Sequence, residues 1–140
     1  MSCNYWGMAL VLVCVSASCS TLPKPVDEDS EAFKSAHLPS YANSIRQEVD
    51  NRDVSLRGYL VYEGGQYGLW DSESVYEGGK LDACVTPIAA GDPSRVLRKL
   101  SGRLVVLKGT YLSNYMSKDI LVSGGCNFSG LRVTAAFAAN

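Results

Sequence analysis

Residues 54–70 read VSLRGYLVYEGGQYGLW and predict the first two elements of the fold. Apolar and polar side chains alternate at the start, and one face carries Val54, Leu56, Leu60 and Tyr62. This period of two is typical of a β-strand with one buried face. The string EGGQ at residues 63–66 predicts a hairpin turn into a second strand at residues 67–70. Gly58 interrupts the buried face, so we expect the strand to bend there or another backbone to approach closely.

The sequence that follows predicts further strands and one helix. Residues 84–88 (CVTPI) form a short third strand in this interpretation. Residues 92–102 (DPSRVLRKLSG) predict a helix, because an N-cap Asp and a first-turn Pro precede an apolar stripe and a glycine ends it. Residues 103–112 are apolar on both faces, which favours a central strand. Residues 130–134 predict the last strand, and residues 119–122 are a candidate for an additional short one.

This order of elements resembles the OB-fold, a five-stranded Greek-key barrel. The resemblance covers residues 54–136, and the strings VSLRGYL and YGLW look like those of small OB-fold-like proteins among bacterial envelope lipoproteins. Several families of this shape have no assigned activity. We therefore expect a mainly β domain, a five- to six-stranded OB-like barrel with one short helix between strands three and four. Another small β-barrel or sandwich with one helix is the alternative.

The N-terminus carries a pattern typical of export. Residues 8–17 (MALVLVCVSA) are an uncharged apolar run of ten, whereas a bilayer-spanning helix needs about twenty such residues. The small residues before Cys19 resemble a bacterial lipobox, which implies cleavage before Cys19 and attachment of a lipid to its thiol. Residues 1–18 are then a lipoprotein-type signal peptide. Cys14 is a competing lipid site, and ordinary secretion with unmodified Cys19 is the other alternative.

The lipobox resemblance also implies a location in the bacterial cell envelope. Ser20 stands where an inner-membrane retention signal would have Asp, so in a Gram-negative host we expect an outer-membrane lipoprotein facing the periplasm. Residues 19–53 carry seven acidic and four basic side chains and predict a solvated tether, with one short helix possible within residues 42–49. We expect His37 to be solvated within this tether. The domain then spans residues 54–136, followed by a tail at residues 137–140.

The cysteines divide between the signal and the domain. Cys3, Cys14 and Cys19 lie in or directly after the signal, which leaves Cys84 and Cys126 for the mature protein. An even number of cysteines in an oxidising compartment predicts a disulfide. Two buried free thiols are the alternative.

The sequence carries no recognisable catalytic motif. It contains no G-x-S-x-G, H-E-x-x-H, Walker or G-x-G-x-x-G pattern. The one histidine and the absence of a C-x-x-C pair argue against a metal site. Two of the three acids Asp71, Glu73 and Glu77 could form the carboxylate pair of a glycosidase. We interpret all three as solvated loop acids. We expect no catalytic activity, no metal and no cofactor.

Binding is the function that remains. The net charge of −1 argues against a general nucleic-acid binder. OB-folds bind ligands on the sheet around strands two and three, where this chain offers four candidates: Arg57, Tyr59, Tyr67 and Trp70. Aromatic rings stack on ligands and arginine binds carboxylate or phosphate, although Trp70 or Tyr62 would also serve as core.

The sequence therefore predicts a lipid-anchored envelope protein whose module binds a protein, peptide or glycan. A non-anchored structural or inhibitory module is the first alternative. A cytosolic nucleic-acid-binding OB domain is the second.

Overall fold

The computed structural model describes residues 22–115, 126 and 129–140. The predicted signal, Cys19 and the candidate strand at residues 119–122 lie outside these residues. Five strands are present: β1 Asp53–Glu63, β2 Gln66–Trp70, β3 Cys84–Ile88, β4 Arg103–Leu112 and β5 Gly130–Ala138. The helices are α1 Glu31–Lys34, α2 Pro39–Ser44, α3 Arg46–Val49, α4 Glu73–Glu77 and α5 Asp92–Leu100, with a 3₁₀ turn at Leu81–Ala83. The mainly β prediction is confirmed.

The strands are hydrogen-bonded in a closed ring, in the order β1-β2-β3-β5-β4 with β4 returning to β1. We call these five strands the strand ring. Only β3 and β5 run parallel; the other pairs are antiparallel. Helix α5 lies between β3 and β4, as predicted, although its N-cap is Gly91 rather than Asp92.

The inside of the strand ring is filled by the side chains that alternation predicted. Leu56 and Leu60 of β1 are fully buried, as are Val105 and Leu107 of β4. The same core receives further residues from β2, β3, β5 and α5: Leu69, Val85, Leu97, Leu100, Leu131 and Val133. Fully burying one such side chain stabilises the fold by roughly 1.5–3 kcal/mol.

Two glycines allow strands to cross closely. A Cβ on Gly58 would collide with the carbonyl oxygen of Trp70, and one on Gly109 would collide with that of Arg132. The close approach expected at Gly58 is therefore confirmed. At Gly109 the register between β4 and β5 also shifts by one residue.

The hairpin between β1 and β2 follows the predicted turn. Glu63 pairs with Gln66, and the two residues between them, Gly64 and Gly65, have φ of 59° and 85°. Two successive positive φ values match the twist of the flanking strands and favour glycine at both positions. The turn brings the aromatic residues of β1 and β2 side by side.

Residues 22–52, which we call the N-terminal segment, differ from the predicted tether. Phe33 and Ala36 are buried against Val106 on the outer face of β4, with Leu104 beside them. The physical reason is that β4 is apolar on both faces. Its outer face needs a cover, and the N-terminal segment provides one.

The N-terminal segment also pairs with strand edges that the strand ring leaves free. The His37 N–H donates to Ser55 O at 2.9 Å and the Arg57 N–H donates to His37 O at 2.9 Å, along the part of β1 that β2 does not reach. Val26 and the chain end pair in the same way, since the Val26 N–H donates to Ala138 O at 2.7 Å. Unpaired strand edges are templates for aggregation, and each of these two pairings covers one such edge. His37 thus holds an edge through its backbone, and the predicted tail belongs in part to β5.

The side chain of Asn43 in α2 joins the N-terminal segment to the rest of the fold through hydrogen bonds. Its Nδ2 donates to Asp82 O at 2.8 Å and to Cys84 O at 3.0 Å. Its Oδ1 accepts from Tyr111 Oη at 2.8 Å and from Ser129 Oγ at 2.6 Å. Tyr111 is fully buried and Ser129 is 4% exposed, so water has little access to their hydroxyl groups. The Asn43 amide oxygen provides the hydrogen-bond acceptor for both hydroxyls.

Candidate functional site

The four predicted ligand-binding residues do not share one face. Tyr59 and Trp70 are cross-strand partners on the outer face of the hairpin. Tyr67 lies on the opposite face, where it packs against the core of the strand ring. Arg57 is on the outer face but lies beneath the N-terminal segment: its Nη1 donates to Phe33 O at 3.2 Å and its guanidinium lies 5.0 Å from the Phe33 ring centroid. Arg57 therefore holds α1 in place, and the structure brings together only Tyr59 and Trp70.

A groove of about 160 Å³ lies beside this pair on the outer face. We call it the outer groove and define it by the residues that form its floor, walls and rim: Val61, Glu63, Gly68, Trp70, Tyr76 and Cys126. At its floor, the lack of a side chain on Gly68 leaves room for the Trp70 indole and the Cys126 sulfur: a Cβ there would lie 2.7 Å from Trp70 Nε1 and 3.2 Å from Cys126 Sγ. Trp70 and Tyr76 form an edge-on aromatic pair with ring centroids 5.5 Å apart.

Trp70 is buried yet its polar atom is unused. The side chain is 6% exposed, and Nε1–H makes no hydrogen bond to any residue of the described ranges. Nε1 lies over Gly68, and both residues line the outer groove. Because no described polar side-chain atom is both buried and unpartnered, this N–H is accessible to solvent, and the outer groove offers a ligand one unpaired donor.

The rim of the outer groove is acidic. The Tyr76 hydroxyl donates to Glu63 Oε2 at 2.9 Å, and this bond to a carboxylate raises the pKa of Tyr76 above its usual value. The Tyr59 hydroxyl donates to Glu73 Oε1 at 3.1 Å; partial burial, then this bond, raise the pKa of Tyr59. The carboxylates of Glu63 and Glu73 place negative charge beside these two hydroxyls. Cations and neutral donors are therefore favoured here over anions.

The predicted Cys84–Cys126 disulfide forms one wall of the outer groove. The two sulfurs are 2.10 Å apart, the Cα atoms are 5.3 Å apart, and the bridge joins residues 42 positions apart in sequence. Both cysteines pack with Trp70 in one buried cluster. The disulfide thus holds Cys126 against the start of β3 and against Trp70.

The segment interpreted as a loop with solvated acids contains helix α4, and two of those acids, Asp71 and Glu73, have structural partners. Ser72 caps α4 by accepting the Val75 N–H. Asp71 Oδ1 accepts the Ser40 N–H at 2.8 Å, and Glu73 accepts the Tyr59 hydroxyl. These contacts fix the helix that presents Tyr76, which the sequence interpretation missed. Ser72 as an N-cap was the available signal.

A second depression lies on the other side of the hairpin. We call it the tyrosine pocket and define it by six residues: Tyr62, Tyr67, Thr86, Ile88, Arg98 and Tyr115. Its volume is about 280 Å³. Tyr62 and Tyr67 are cross-strand partners with ring centroids 4.7 Å apart. The alternation of β1 and β2 therefore places aromatic residues on both sides of one hairpin.

Within residues 22–115, 126 and 129–140, no helix combines the length and apolar character needed to cross a bilayer. The same residues contain no group of three or more His, Cys, Asp or Glu side chains arranged to hold a metal ion.

Comparison of the chain with protein-family models, with curated proteins and with solved structures gives no match. The assignment of a function therefore rests on the chemistry of the hairpin and its two depressions.

Proposed function

We propose that this chain is a lipid-anchored envelope protein with an OB-like Greek-key barrel that binds a peptide segment of a partner protein in the outer groove. The ring order β1-β2-β3-β5-β4, the parallel β3–β5 pair and the position of α5 between β3 and β4 support the OB-like assignment. The apolar run before Cys19 supports export and anchoring, with the outer membrane and its periplasmic side as the location.

The observation that carries the binding proposal is the unpaired Nε1–H of Trp70. This donor lies at the floor of a groove with aromatic walls, where solvent reaches it, and a peptide carbonyl is a suitable acceptor. The acidic rim favours a basic side chain on that peptide, which would lie against the Tyr76 ring near Glu63. A neutral glycan would also offer acceptors, but it would make less use of the rim carboxylate.

Trp70→Phe tests the binding proposal, because it keeps an aromatic ring while removing the N–H together with the second ring of the indole. We expect residues 20–140 of the wild type to retain material from an envelope extract and the variant to lose most of it. Tyr41→Phe, on an exposed side chain away from the groove, is the matched control. Retention that survives protease treatment of the extract but not periodate would replace the peptide by a glycan. Equal retention by Trp70→Phe would contradict the use of the outer groove.

Cys19→Ser tests the anchor. We expect the wild type to incorporate palmitate and to fractionate with membranes, and the variant to be released or to remain as uncleaved precursor. Equal membrane retention with no difference in mass would contradict lipidation. Cleaved wild-type protein with an unmodified Cys19 would support the non-anchored structural or inhibitory module instead.

A further inference from the structure

We infer that the tyrosine pocket is a second ligand site, selective for an organic carboxylate. It is independent of the proposed function, because it lies on the other face of the hairpin and uses different donors. The tyrosine pocket combines a free phenolic O–H, a guanidinium without a carboxylate partner among the described residues, and apolar walls.

The walls of the tyrosine pocket are fixed by contacts within the fold. The Tyr67 hydroxyl donates to Ser94 O at 2.9 Å, which ties this ring to α5. The Tyr62 ring lies against it at an interplanar angle of 41°. Ile88 at the end of β3 and the Tyr115 ring, which packs on Gly130, complete an apolar surface. These walls can remove the body of an organic ligand from water without rearranging.

Two hydrogen-bond donors converge beside these walls. The Arg98 guanidinium lies 5.2 Å from the Tyr62 ring centroid, and its Nη2 donates to Tyr62 Oη across 3.4 Å. Because Tyr62 Oη accepts this bond, its own O–H remains available, and no acceptor for it lies within the described part of the chain. The guanidinium likewise has no carboxylate partner among the described residues, whereas Arg95 on the same helix pairs with Asp92 at 3.6 Å.

The charge of the lining selects the ligand. Arg98 is the charged residue that lines the tyrosine pocket, and no carboxylate is among the described lining residues. A guanidinium without a carboxylate partner beside a free O–H favours an anion, and the planar guanidinium matches the geometry of a carboxylate or a phosphate. The tyrosine rings and Ile88 favour an anion attached to an aromatic or aliphatic body over inorganic phosphate. The chemistry therefore points to an organic carboxylate.

Benzoate and benzamide are the matched probes, because they share one shape and differ in charge. Binding to residues 20–140 is followed by titration with two-dimensional NMR. We expect benzoate to bind about tenfold more tightly than benzamide, the effect of one charge-assisted hydrogen bond. Inorganic phosphate should bind more weakly than benzoate, since it leaves the apolar walls unused. The shifted amides should be those of β2, β3 and α5 around the pocket.

Arg98→Gln should remove the preference for benzoate over benzamide, and Arg98→Lys should restore part of it. Arg95→Gln is the control, because it removes the same charge from α5 at a residue that already has an acidic partner. Trp70→Phe should leave benzoate binding unchanged, which separates this site from the outer groove. Equal affinity for the two probes, equal losses in Arg95→Gln and Arg98→Gln, or phosphate binding as tight as benzoate binding would each overturn the inference.

Discussion

The strand ring and the N-terminal segment are held in place by different kinds of contact. In the ring, buried apolar side chains from every strand meet in one core, and a disulfide links β3 to Cys126. In the N-terminal segment, only a few apolar side chains are buried, chiefly Phe33, Ala36 and Ala42. Backbone pairing at Val26 and His37 and the amide of Asn43 supply the rest.

This difference shows how a polar sequence can become part of a packed fold. The strand ring encloses the larger shared core, whereas the N-terminal segment buries its few apolar side chains against surfaces that the ring provides. We therefore expect the segment to respond to changes in the ring, and the ring to tolerate some changes in the segment.

Replacing both cysteines should have the largest effect. We expect Cys84→Ala with Cys126→Ala to lower the free energy of unfolding by about 2–5 kcal/mol, because the cross-link restricts the unfolded chain. Denaturant unfolding of the oxidised wild type and the double variant measures this difference. Two reactive thiols in denatured, non-reduced wild-type protein, or melting of the variant within a degree or two of the wild type, would contradict it.

Asn43→Ala should destabilise the junction of the two regions by about 3 kcal/mol, because it leaves the Tyr111 and Ser129 hydroxyls without their acceptor. The same denaturant series measures the loss. Asn114→Ala, at an exposed position, is the matched control and should change stability little. A loss as small as that of Asn114→Ala would mean that water replaces the amide without cost.

Phe33→Ala should cost about 2 kcal/mol, the value of burying one aromatic side chain on the outer face of β4. Hydrogen exchange should show faster exchange at His37 and Val26, whose N–H groups pair with the ring, and little change in β1 and β4. Uniformly faster exchange throughout the chain would show instead that the segment and the ring unfold as one unit.

Acid should weaken the contact between Asp50 and Ser113, the residue directly after β4, and this should be the smallest of the four effects. The Ser113 N–H donates to Asp50 Oδ1 at 2.7 Å, and this bond holds the pKa of Asp50 below its usual value of 3.8. A lowered pKa in the folded state means that the stabilisation is complete above pH 3.8 and is lost as the pH falls through the lower value. Asp50→Asn should therefore flatten the acid side of a stability-against-pH curve. An unchanged acid limb in that variant would exclude this carboxylate as a source of the pH dependence.

Much of the strand ring was predictable because its elements are specified locally. The alternation of apolar and polar residues predicted β1, and the two glycines predicted the hairpin. Asp92 and Pro93 predicted the start of α5 to within one residue. The cysteine pair followed from their number and expected compartment. The N-terminal segment was not predictable in this way, because acids at residues 27–31 dominate its composition and its partners are distant in sequence.

The candidate site was predictable only in part. Tyr59 and Trp70 were identified, but Tyr67 and Trp70 were placed on one face although they are three residues apart on a strand and so point to opposite faces. Tyr76 and Glu63 meet through the packing of α4 on the hairpin, and Arg98 reaches Tyr62 from α5. Such contacts depend on the tertiary arrangement and leave no local pattern.

The pairing of Val26 with the chain end also sets how far the folded part can lie from a lipid on Cys19. A solvated tether over residues 19–53 could extend on the order of 100 Å, but seven residues from Cys19 to Val26 span at most about 25 Å. With that short reach, the protein would stay within roughly one diameter of its own fold from the bilayer surface. A partner that binds the bilayer-facing side of the fold would then have to be membrane-bound itself, or small enough to enter that narrow layer.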